Sequence, residues 1–316
     1  MDKIKVIIDT DIGDDIDDTL AISLALSMPD LIEVIGITTV FNDTRLRAKN
    51  VYNLLSAYGK TDIPVIAGYG KTEGGFQTPD PFLKEEIPYA FECDFTPNYC
   101  EEAAVDFIID ACRKYGKNLV VIPLGPFTNI SKVIKKAPDA LNGILKVVIM
   151  GGAFYKQYAD WNVFCDPDSA KVVFDNLTNL FALGADVTHK LPVDDKYLDA
   201  LFNYNGANEG VKLVAKTVKA WQTGGKKQWG GTPKVTLHDP LAVYSAVDES
   251  FIKSEKVLID VVTKGVFKGF TVNLNAYSKL HLNDEFNKND FNLVKVAKDV
   301  DSDAFIKRFF DILLNN

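Results

Sequence analysis

Six aspartates lie within ten positions near the start of the chain, in the segment IIDTDIGDDIDDTLA (7–21). They follow a run of aliphatic residues, and so many like charges in one short loop repel each other. Capping of a helix start explains one or two of them, because acids favour the first turn of a helix. A hard cation explains the whole cluster better, since carboxylates without nearby His or Cys select Ca²⁺ or Mg²⁺ over Zn²⁺.

Two later segments place further polar groups where strands are predicted to end. In VVIPLGPFTNI (120–130), the backbone carbonyl of Leu124 follows a strand and is a possible cation ligand, although an ordinary strand-to-helix turn has the same pattern. In VIMGGAFYKQYADWNVFCDPDSA (148–170), Asp160 and Asn162 come shortly after a strand. Because ligands bind beyond the carboxyl ends of parallel strands, we expect both segments to converge with the aspartate loop.

A third segment, VTLHDPLAVYSA (235–246), places His238 next to Asp239 at a predicted helix start. Such a pair is more often a cap than a catalytic unit. It is a stronger candidate here because the chain has only three histidines.

The elements that must position these residues alternate between strands and helices. The apolar strands lack polar alternation, which predicts an α/β fold with a mainly parallel sheet flanked by helices on both faces. A long loop is predicted over 69–99, and a β-hairpin around Lys264-Gly265 near the C-terminus. The predicted strands are 3–9, 32–39, 63–68, 118–123, 145–150 and 178–183, with hairpin strands 257–262 and 267–274; the predicted helices are 17–28, 44–58, 101–115, 127–136, 166–176, two within 194–223, 238–247 and 301–314.

Composition narrows the class of protein. The 316 residues are 47% hydrophobic, and no linker divides them, so we expect a single domain over 1–316. The net charge of -8 argues against nucleic acid or an anionic membrane as the main partner. Four cysteines without a CxxC pair, and the absence of a signal peptide or a membrane-length apolar run, favour a cytoplasmic protein.

Taken together, the segments resemble the nucleoside hydrolase family, the inosine–uridine-preferring type. The resemblance implies a Rossmann-like fold, hydrolysis of the N-glycosidic bond of a ribonucleoside, and a homodimer or homotetramer. It also implies one bound Ca²⁺ that contacts the attacking water and the ribose 2′- and 3′-hydroxyls. The matching motifs are DTDIGDDIDDTLA (9–21), ITTVFND (37–43), IPLGPFTNI (122–130), MGGAF with DWNVFCDPDSA (150–170), and HDPLAV (238–243).

The resemblance assigns roles to individual residues. Asp11 and Asp239 would ligate the ion together with the Leu124 carbonyl, and His238 would face the leaving base and donate a proton to it. The turn from Gly74 to Pro79 would close over the base. Hydrogen bonds to the sugar would come from Asn42, Asp160 and Asn162.

The opening motif is two residues longer than the family's pattern, which leaves two alignments. Alignment on DDTLA makes Asp17 the general base and Asp18 a bidentate ligand, with Asp15 still able to reach the ion. Alignment on the glycine makes Asp14 and Asp15 the pair. The first is preferred because Leu20 then continues the helix beneath the site.

Two other functions remain as alternatives. The family usually has glutamate where this chain has Asp160, and the 154–160 loop is short, which suggests a different sugar or a Ca²⁺-dependent nucleoside- or sugar-binding protein without turnover. Asp9-Thr10-Asp11 also resembles the nucleophile pair of haloacid-dehalogenase-type phosphatases.

Overall fold

The computed structural model describes residues 3–78, 95–229, 231–275 and 291–315. Its strands are β1 Ile4–Thr10, β2 Ile32–Thr39, β3 Val65–Ala67, β4 Asn98–Tyr99, β5 Leu119–Pro123, β6 Lys146–Met150, β7 Leu180–Leu183, β8 Ile252–Val261, β9 Thr271–Asn273 and β10 Leu293–Val300. They form one sheet in the order β4-β3-β2-β1-β5-β6-β7-β10-β8-β9. Neighbouring strands are parallel from β4 through to β10, and the pairs β10–β8 and β8–β9 are antiparallel.

Helices cover both faces of the sheet, and alternate residues of β1 face the two cores. The helices are α1 Asp17–Leu26, α2 Thr44–Ala57, α3 Glu101–Tyr115, α4 Thr128–Lys136, α5 Trp161–Cys165, α6 Pro167–Asn176, α7 Ala185–Thr188, α8 Asp195–Phe202, α9 Glu209–Trp229, α10 His238–Tyr244 and α11 Ser302–Leu314. Val6 and Ile8 pack with α1, α2 and α9 to α11 on one face, whereas Ile7 packs with α3, α4 and α6 on the other. Among the helices described, none combines the length and apolar character needed to span a bilayer.

The predicted α/β class with a mainly parallel sheet is confirmed, and the C-terminal hairpin is present as β8 and β9. Gly265 in its turn has a φ of 79°, a conformation that favours glycine. Sequence reasoning missed β4, α5, α7 and β10. Because β10 lies between β7 and β8, the hairpin extends the main sheet. Most of the predicted loop over 69–99 lies outside the described residues, and the single domain over 1–316 stays a prediction.

Strand register brings the candidate segments to one edge. Asp9, near the end of β1, is level with Thr38 of β2 and Pro123 of β5. The chain leaves β1 through Gly13, whose φ of 115° turns it sharply back into α1. The aspartate loop and Leu124 therefore emerge side by side.

Candidate active site

A cavity of about 340 Å³ opens beyond the carboxyl ends of β1, β5 and β6. It is the size expected for a small-molecule site. The residues that the resemblance assigns to the ion, the general base, the leaving base and the sugar line it, whereas Asn42, Asp9 and the turn at Gly74 are not part of its described lining. Its walls are formed by Asp11, Asp14, Asp15, Asp17, Asp18, Leu124, Met150, Tyr158, Ala159, Asp160, Trp161, Asn162, Ala185, His189, His238 and Asp239.

Three buried carboxylates meet at one end of this cavity. Asp17 and Asp18 occupy the first turn of α1, and Asp239 occupies the first turn of α10. One oxygen atom from each lies within 4.8 Å of the others. Packing of α1 against α10 brings them together although more than 200 residues separate them in sequence.

The carboxylate of Asp11 packs against the backbone after Leu124. A Cβ atom on Gly125 would lie 2.7 Å from Asp11 Oδ1, which is closer than real Cβ contacts. The glycine therefore leaves room for this acid beside the Leu124 carbonyl. The arrangement depends on the parallel pairing of β1 with β5.

Burial and mutual repulsion shift the titration of the cluster. Burial raises the pKa values of Asp11, Asp17 and Asp239 well above the ordinary value, and neighbouring carboxylates raise them further. Burial also raises the pKa of Asp18 to about 7, opposed by the hydrogen bond that the Thr10 hydroxyl donates to it.

The donor set fits a hard divalent cation. Four closely spaced, buried carboxylates cannot all be ionised unless positive charge is added. Among the described residues that line the cavity there is no Lys or Arg, and the nearby Arg47 guanidinium already pairs with Asp14. The available ligand atoms near the cluster are carboxylate and carbonyl oxygens, which suit Ca²⁺ or Mg²⁺.

The first pair of acids in the loop has a different environment from the second. Asp14 accepts from Arg47, with Nη2 at 3.1 Å from Oδ2, and Asp15 is exposed at the rim. Asp17 and Asp18, in contrast, lie with Asp239. The two pairs of acids that the alternative alignments consider therefore lie in different surroundings.

Arg47 was missed by the sequence analysis. It lies on α2 and is fully buried. Its Nε donates to the carbonyl of Phe41 at 2.7 Å, and its Nη1 donates to the carbonyls of Asp11 and Ile12. The guanidinium therefore fixes the backbone of the aspartate loop. No sequence signal distinguishes it from Arg45, an exposed arginine on the same helix.

Asn162 and Asp160 stabilise the wall formed by α5. The Asn162 side-chain Nδ2 donates to the carbonyls of Leu124 at 2.5 Å and Met150 at 3.1 Å. Asp160 caps α5 by accepting from the Val163 backbone N–H at 3.2 Å. Burial raises the pKa of Asp160 to about 6, and hydrogen bonds from surrounding backbone N–H groups oppose this shift.

His238 is held by a residue that sequence reasoning did not identify. Thr188 Oγ1, at the end of α7, lies 2.6 Å from His238 Nδ1. Burial lowers the pKa of His238 to about 3, so the imidazole is neutral at neutral pH. His189, which follows Thr188 in the chain, also lines the cavity, and the centroid of its ring lies 5.0 Å from that of His238.

Asn42 lies apart from the other candidates. It has a φ of 56° and follows Phe41, whose φ is 67°, so both residues adopt the left-handed region. The Asn42 side chain donates to Thr78 Oγ1 at 2.9 Å and accepts from the Thr78 backbone N–H at 3.1 Å. It thus ties the end of β2 to the turn that begins at Gly74. Pro79, the predicted end of that turn, lies outside the described residues.

Comparison with known proteins agrees with this architecture. A plant nucleoside hydrolase has the same fold with a TM-score of 0.87 and 26% identity, over 100% of both chains. A purine-preferring ribonucleoside hydrolase from Gardnerella vaginalis matches with a TM-score of 0.81 and 28% identity, over 98% of both. The probable uridine nucleosidase 2 of Arabidopsis thaliana is 29% identical over 348 residues, which cover 100% of this chain and 99% of the relative.

The class defined by these structures is the nucleoside hydrolases. The family model described as inosine-uridine preferring nucleoside hydrolase matches residues 6–307, and the chain belongs to that family. It is therefore an enzyme that hydrolyses the N-glycosidic bond of ribonucleosides, and the phosphatase and non-catalytic alternatives are set aside. The family is metal-dependent in general, in agreement with the acidic cluster.

Proposed function

We propose that this enzyme uses Ca²⁺ and an aspartate general base to release ribose and a free base from ribonucleosides. The ion would be held by Asp11, Asp18 and Asp239, with the Leu124 carbonyl and, from the rim, Asp15. Asp17 would be the base. The observation that carries the proposal is the group of buried carboxylate oxygens, within 4.8 Å of one another, contributed by two helices at one end of the cavity.

The surroundings suit the charge that develops in this reaction. Departure of the base leaves an oxocarbenium-like ribosyl cation, which anionic walls stabilise. A bound Ca²⁺ would lower the pKa of a coordinated water and fix its position. Asp17 would accept the proton from the attacking water, and burial and neighbouring acids support this role because they raise its pKa.

The remaining residues orient the substrate. His238, held through Nδ1 by Thr188, would face the leaving base and donate a proton to it through its other ring nitrogen. Asn162 keeps its amide beside the Leu124 carbonyl, where a ribose hydroxyl would lie. For Asn42 to bind the sugar, its two hydrogen bonds to Thr78 have to be exchanged for substrate.

A panel of nucleosides tests the reaction and its cofactor together. Uridine, cytidine, inosine, adenosine and their 2′-deoxy analogues are assayed for release of reducing sugar, first with Ca²⁺, then with a chelator, then with Ca²⁺ restored. We expect ribonucleoside turnover that the chelator abolishes and Ca²⁺ restores. Turnover that survives complete chelation would contradict the role of the ion.

Two variants separate the base from the ligands. We expect Asp17→Asn to lower kcat by roughly 10²–10⁴-fold, the usual contribution of a general base, while Ca²⁺ still binds in calorimetry. Asp11→Asn is expected to weaken Ca²⁺ binding as well as turnover. Asp168→Asn, an exposed acid in the first turn of α6, is the matched control and should resemble wild type. Loss of Ca²⁺ binding in Asp17→Asn, with retention in Asp11→Asn, would exchange the two roles.

A further inference from the structure

Two walls of the cavity come from opposite faces of the sheet. Helix α10, which begins with His238 and Asp239, packs through Leu241 into the core on one face. Helix α5, which begins with Trp161, packs through Val163 into the core on the other face. A ligand in the cavity therefore lies between the first turn of α10 and the first turn of α5.

The wall formed by α5 and the end of β6 is largely apolar. Met150, Ala159 and Trp161 line the cavity on this side. The Trp161 side chain is 48% exposed, and its ring stacks on Phe164 with centroids 6.1 Å apart and an interplanar angle of 24°. This contact holds the indole in place. The wall thus offers an aromatic and thioether surface on which an alkyl or alkylthio group can pack.

The polar side chains of the same wall are already bonded to the protein. Asp160 accepts from the Val163 backbone N–H at 3.2 Å. Three further backbone N–H groups interact with this buried carboxylate, those of Gly152, Trp161 and Asn162. These donors match the roughly four lone-pair sites of a carboxylate. Asn162 has both amide hydrogens on backbone carbonyls, one of them a proposed ligand of the ion, so its amide lies on the side of the acids.

The shape of a ribonucleoside decides which part of the substrate meets this wall. The 2′- and 3′-hydroxyls lie on one face of the ribose ring, whereas the base and the C5′ group project from C1′ and C4′ on the other face. In the reaction proposed above, the diol is held at the acids and the base lies beside His238. C4′ is then on the side of the ring away from the base, and its C5′ substituent is directed to the wall of α5.

We propose that the enzyme prefers ribonucleosides in which an apolar group replaces the 5′-hydroxyl, namely 5′-deoxy and 5′-alkylthio ribonucleosides; this rests on the nucleoside hydrolysis proposed above. The apolar group packs on Trp161 and Met150. A 5′-hydroxyl at the same place loses its water and gains no partner in return. The chemistry is unchanged: the hydroxyl of the water joins C1′, and the base leaves with the electron pair of the C1′–N bond and one proton. The sugar product is a 5-deoxy- or 5-alkylthioribose.

Substrates that differ only at C5′ test this preference. The four ribonucleosides of the panel above are each compared with their 5′-deoxy and 5′-methylthio analogues and with their 5′-monophosphates. For each base that is cleaved, we expect kcat/KM to be roughly 10–100-fold higher for the 5′-methylthio compound than for the 5′-hydroxyl compound, the discrimination typical of an apolar pocket. The 5′-deoxy compound should lie between them, and the charged monophosphate should be the poorest substrate.

Removal of the indole tests the wall itself. We expect Trp161→Ala to lower the ratio of kcat/KM between the 5′-methylthio and 5′-hydroxyl compounds by roughly tenfold, because the apolar group loses its contact. Phe267→Ala is the matched control. It removes an aromatic ring that is 59% exposed in the hairpin turn, outside the described lining of the cavity, and should keep the ratio of wild type.

Binding gives a readout that does not depend on turnover. In calorimetry on the slow variant Asp17→Asn, we expect 5′-methylthioadenosine to have a Kd roughly tenfold or more below that of adenosine. The double variant Asp17→Asn/Trp161→Ala should lose this difference.

The outcomes separate the two proposals. Equal kcat/KM within each series, or a preference for the 5′-hydroxyl or 5′-phosphate, would overturn the 5′ preference while leaving nucleoside hydrolysis in place. Equal losses on all compounds in Trp161→Ala would place the base on this wall, which also overturns it. If none of the compounds is cleaved, the proposed reaction is refuted, and the calorimetric comparison still decides whether the wall favours an apolar 5′ group.

Discussion

Removal of the Arg47 guanidinium is expected to destabilise the aspartate loop strongly. In Arg47→Met, the carbonyls of Phe41, Asp11 and Ile12 lose their donor, and Asp14 loses its partner. A buried acceptor left unpaired costs about 1–3 kcal/mol, and loss of one partner of a buried ion pair costs about 3–5 kcal/mol. Because these effects overlap and Asp14 is partly exposed, we expect the free energy of unfolding to fall by about 3–5 kcal/mol.

The same substitution should weaken cation binding. The Arg47 charge lowers the pKa values of Asp11 and Asp18, against burial, which raises them. Without it, ionising these ligands costs more, so the Ca²⁺ affinity should decrease along with stability. Arg47→Lys should give an intermediate loss, since an ammonium restores the charge but not the planar set of donors.

Urea unfolding in Ca²⁺ and in chelator, together with calorimetric Ca²⁺ binding, measures both effects. Arg45→Met, on the exposed side of the same helix, is the control and should lower the free energy of unfolding by at most about 1 kcal/mol, the worth of a surface ion pair. An Arg47→Met protein within that margin of wild type would refute the reasoning, because it would mean that the loop holds its conformation without the guanidinium.

Three further predictions address the site. Gly125→Ala should displace the Asp11 carboxylate, 2.7 Å from the new Cβ, and weaken Ca²⁺ binding by calorimetry, whereas Gly143→Ala, with open space around it, should not. Burial raises the pKa of Asp160 from 3.8 to about 6, so the folded state holds this proton more tightly than the unfolded chain. Wild type should therefore lose up to about 3 kcal/mol relative to Asp160→Asn as the pH rises from about 4 to about 6 in urea titrations; a constant difference would contradict the shift. Finally, Ca²⁺ at a hundred times its Kd should raise the Tm of wild type by roughly 5 °C in thermal scans, and Asp239→Asn should abolish this shift.

The layered fold can be predicted from the sequence because each strand and helix is recognisable from its own residues. Apolar strands such as VVIP at 120–123 and helix starts such as DDTLA at 17–21 indicate their own structure, and parallel pairing then sends their carboxyl ends to one edge. The position of β10 in the sheet, in contrast, cannot be predicted from its own residues. Its alternating residues, LVKVAKDV at 293–300, are compatible with a strand, but insertion between β7 and β8 depends on contacts more than 100 residues away along the chain.

The sequence predicts the acids of the candidate site, because they are clustered along the chain. It does not predict the residues that hold these acids and His238 in place. The acids of α1 and Asp239 are conspicuous in sequence, whereas Arg47 lies in TRLRAKN, a pattern equally typical of an exposed helix. Thr188 and His189 follow a strand in a stretch that gave no helical signal, because α7 has only four residues. Their importance comes from tertiary contacts with His238 and Tyr158.

The Asp239→Asn prediction follows from how the two helices meet. The N-terminal turns of α1 and α10 carry the clustered acids, and each helix dipole favours a nearby carboxylate by about 0.3–1 kcal/mol. Burial and repulsion between the acids destabilise the carboxylates by more than the helix dipoles stabilise them. The pKa values of Asp17 and Asp239 are accordingly raised well above the ordinary range. Packing of α1 on α10 is therefore opposed by its own acids unless a cation neutralises them. In chelator, Asp239→Asn should accordingly be more stable than wild type, and in saturating Ca²⁺ it should be less stable. If the variant were less stable under both conditions, its carboxylate would be contributing to the fold through hydrogen bonds, and repulsion between the helices would not be the dominant effect.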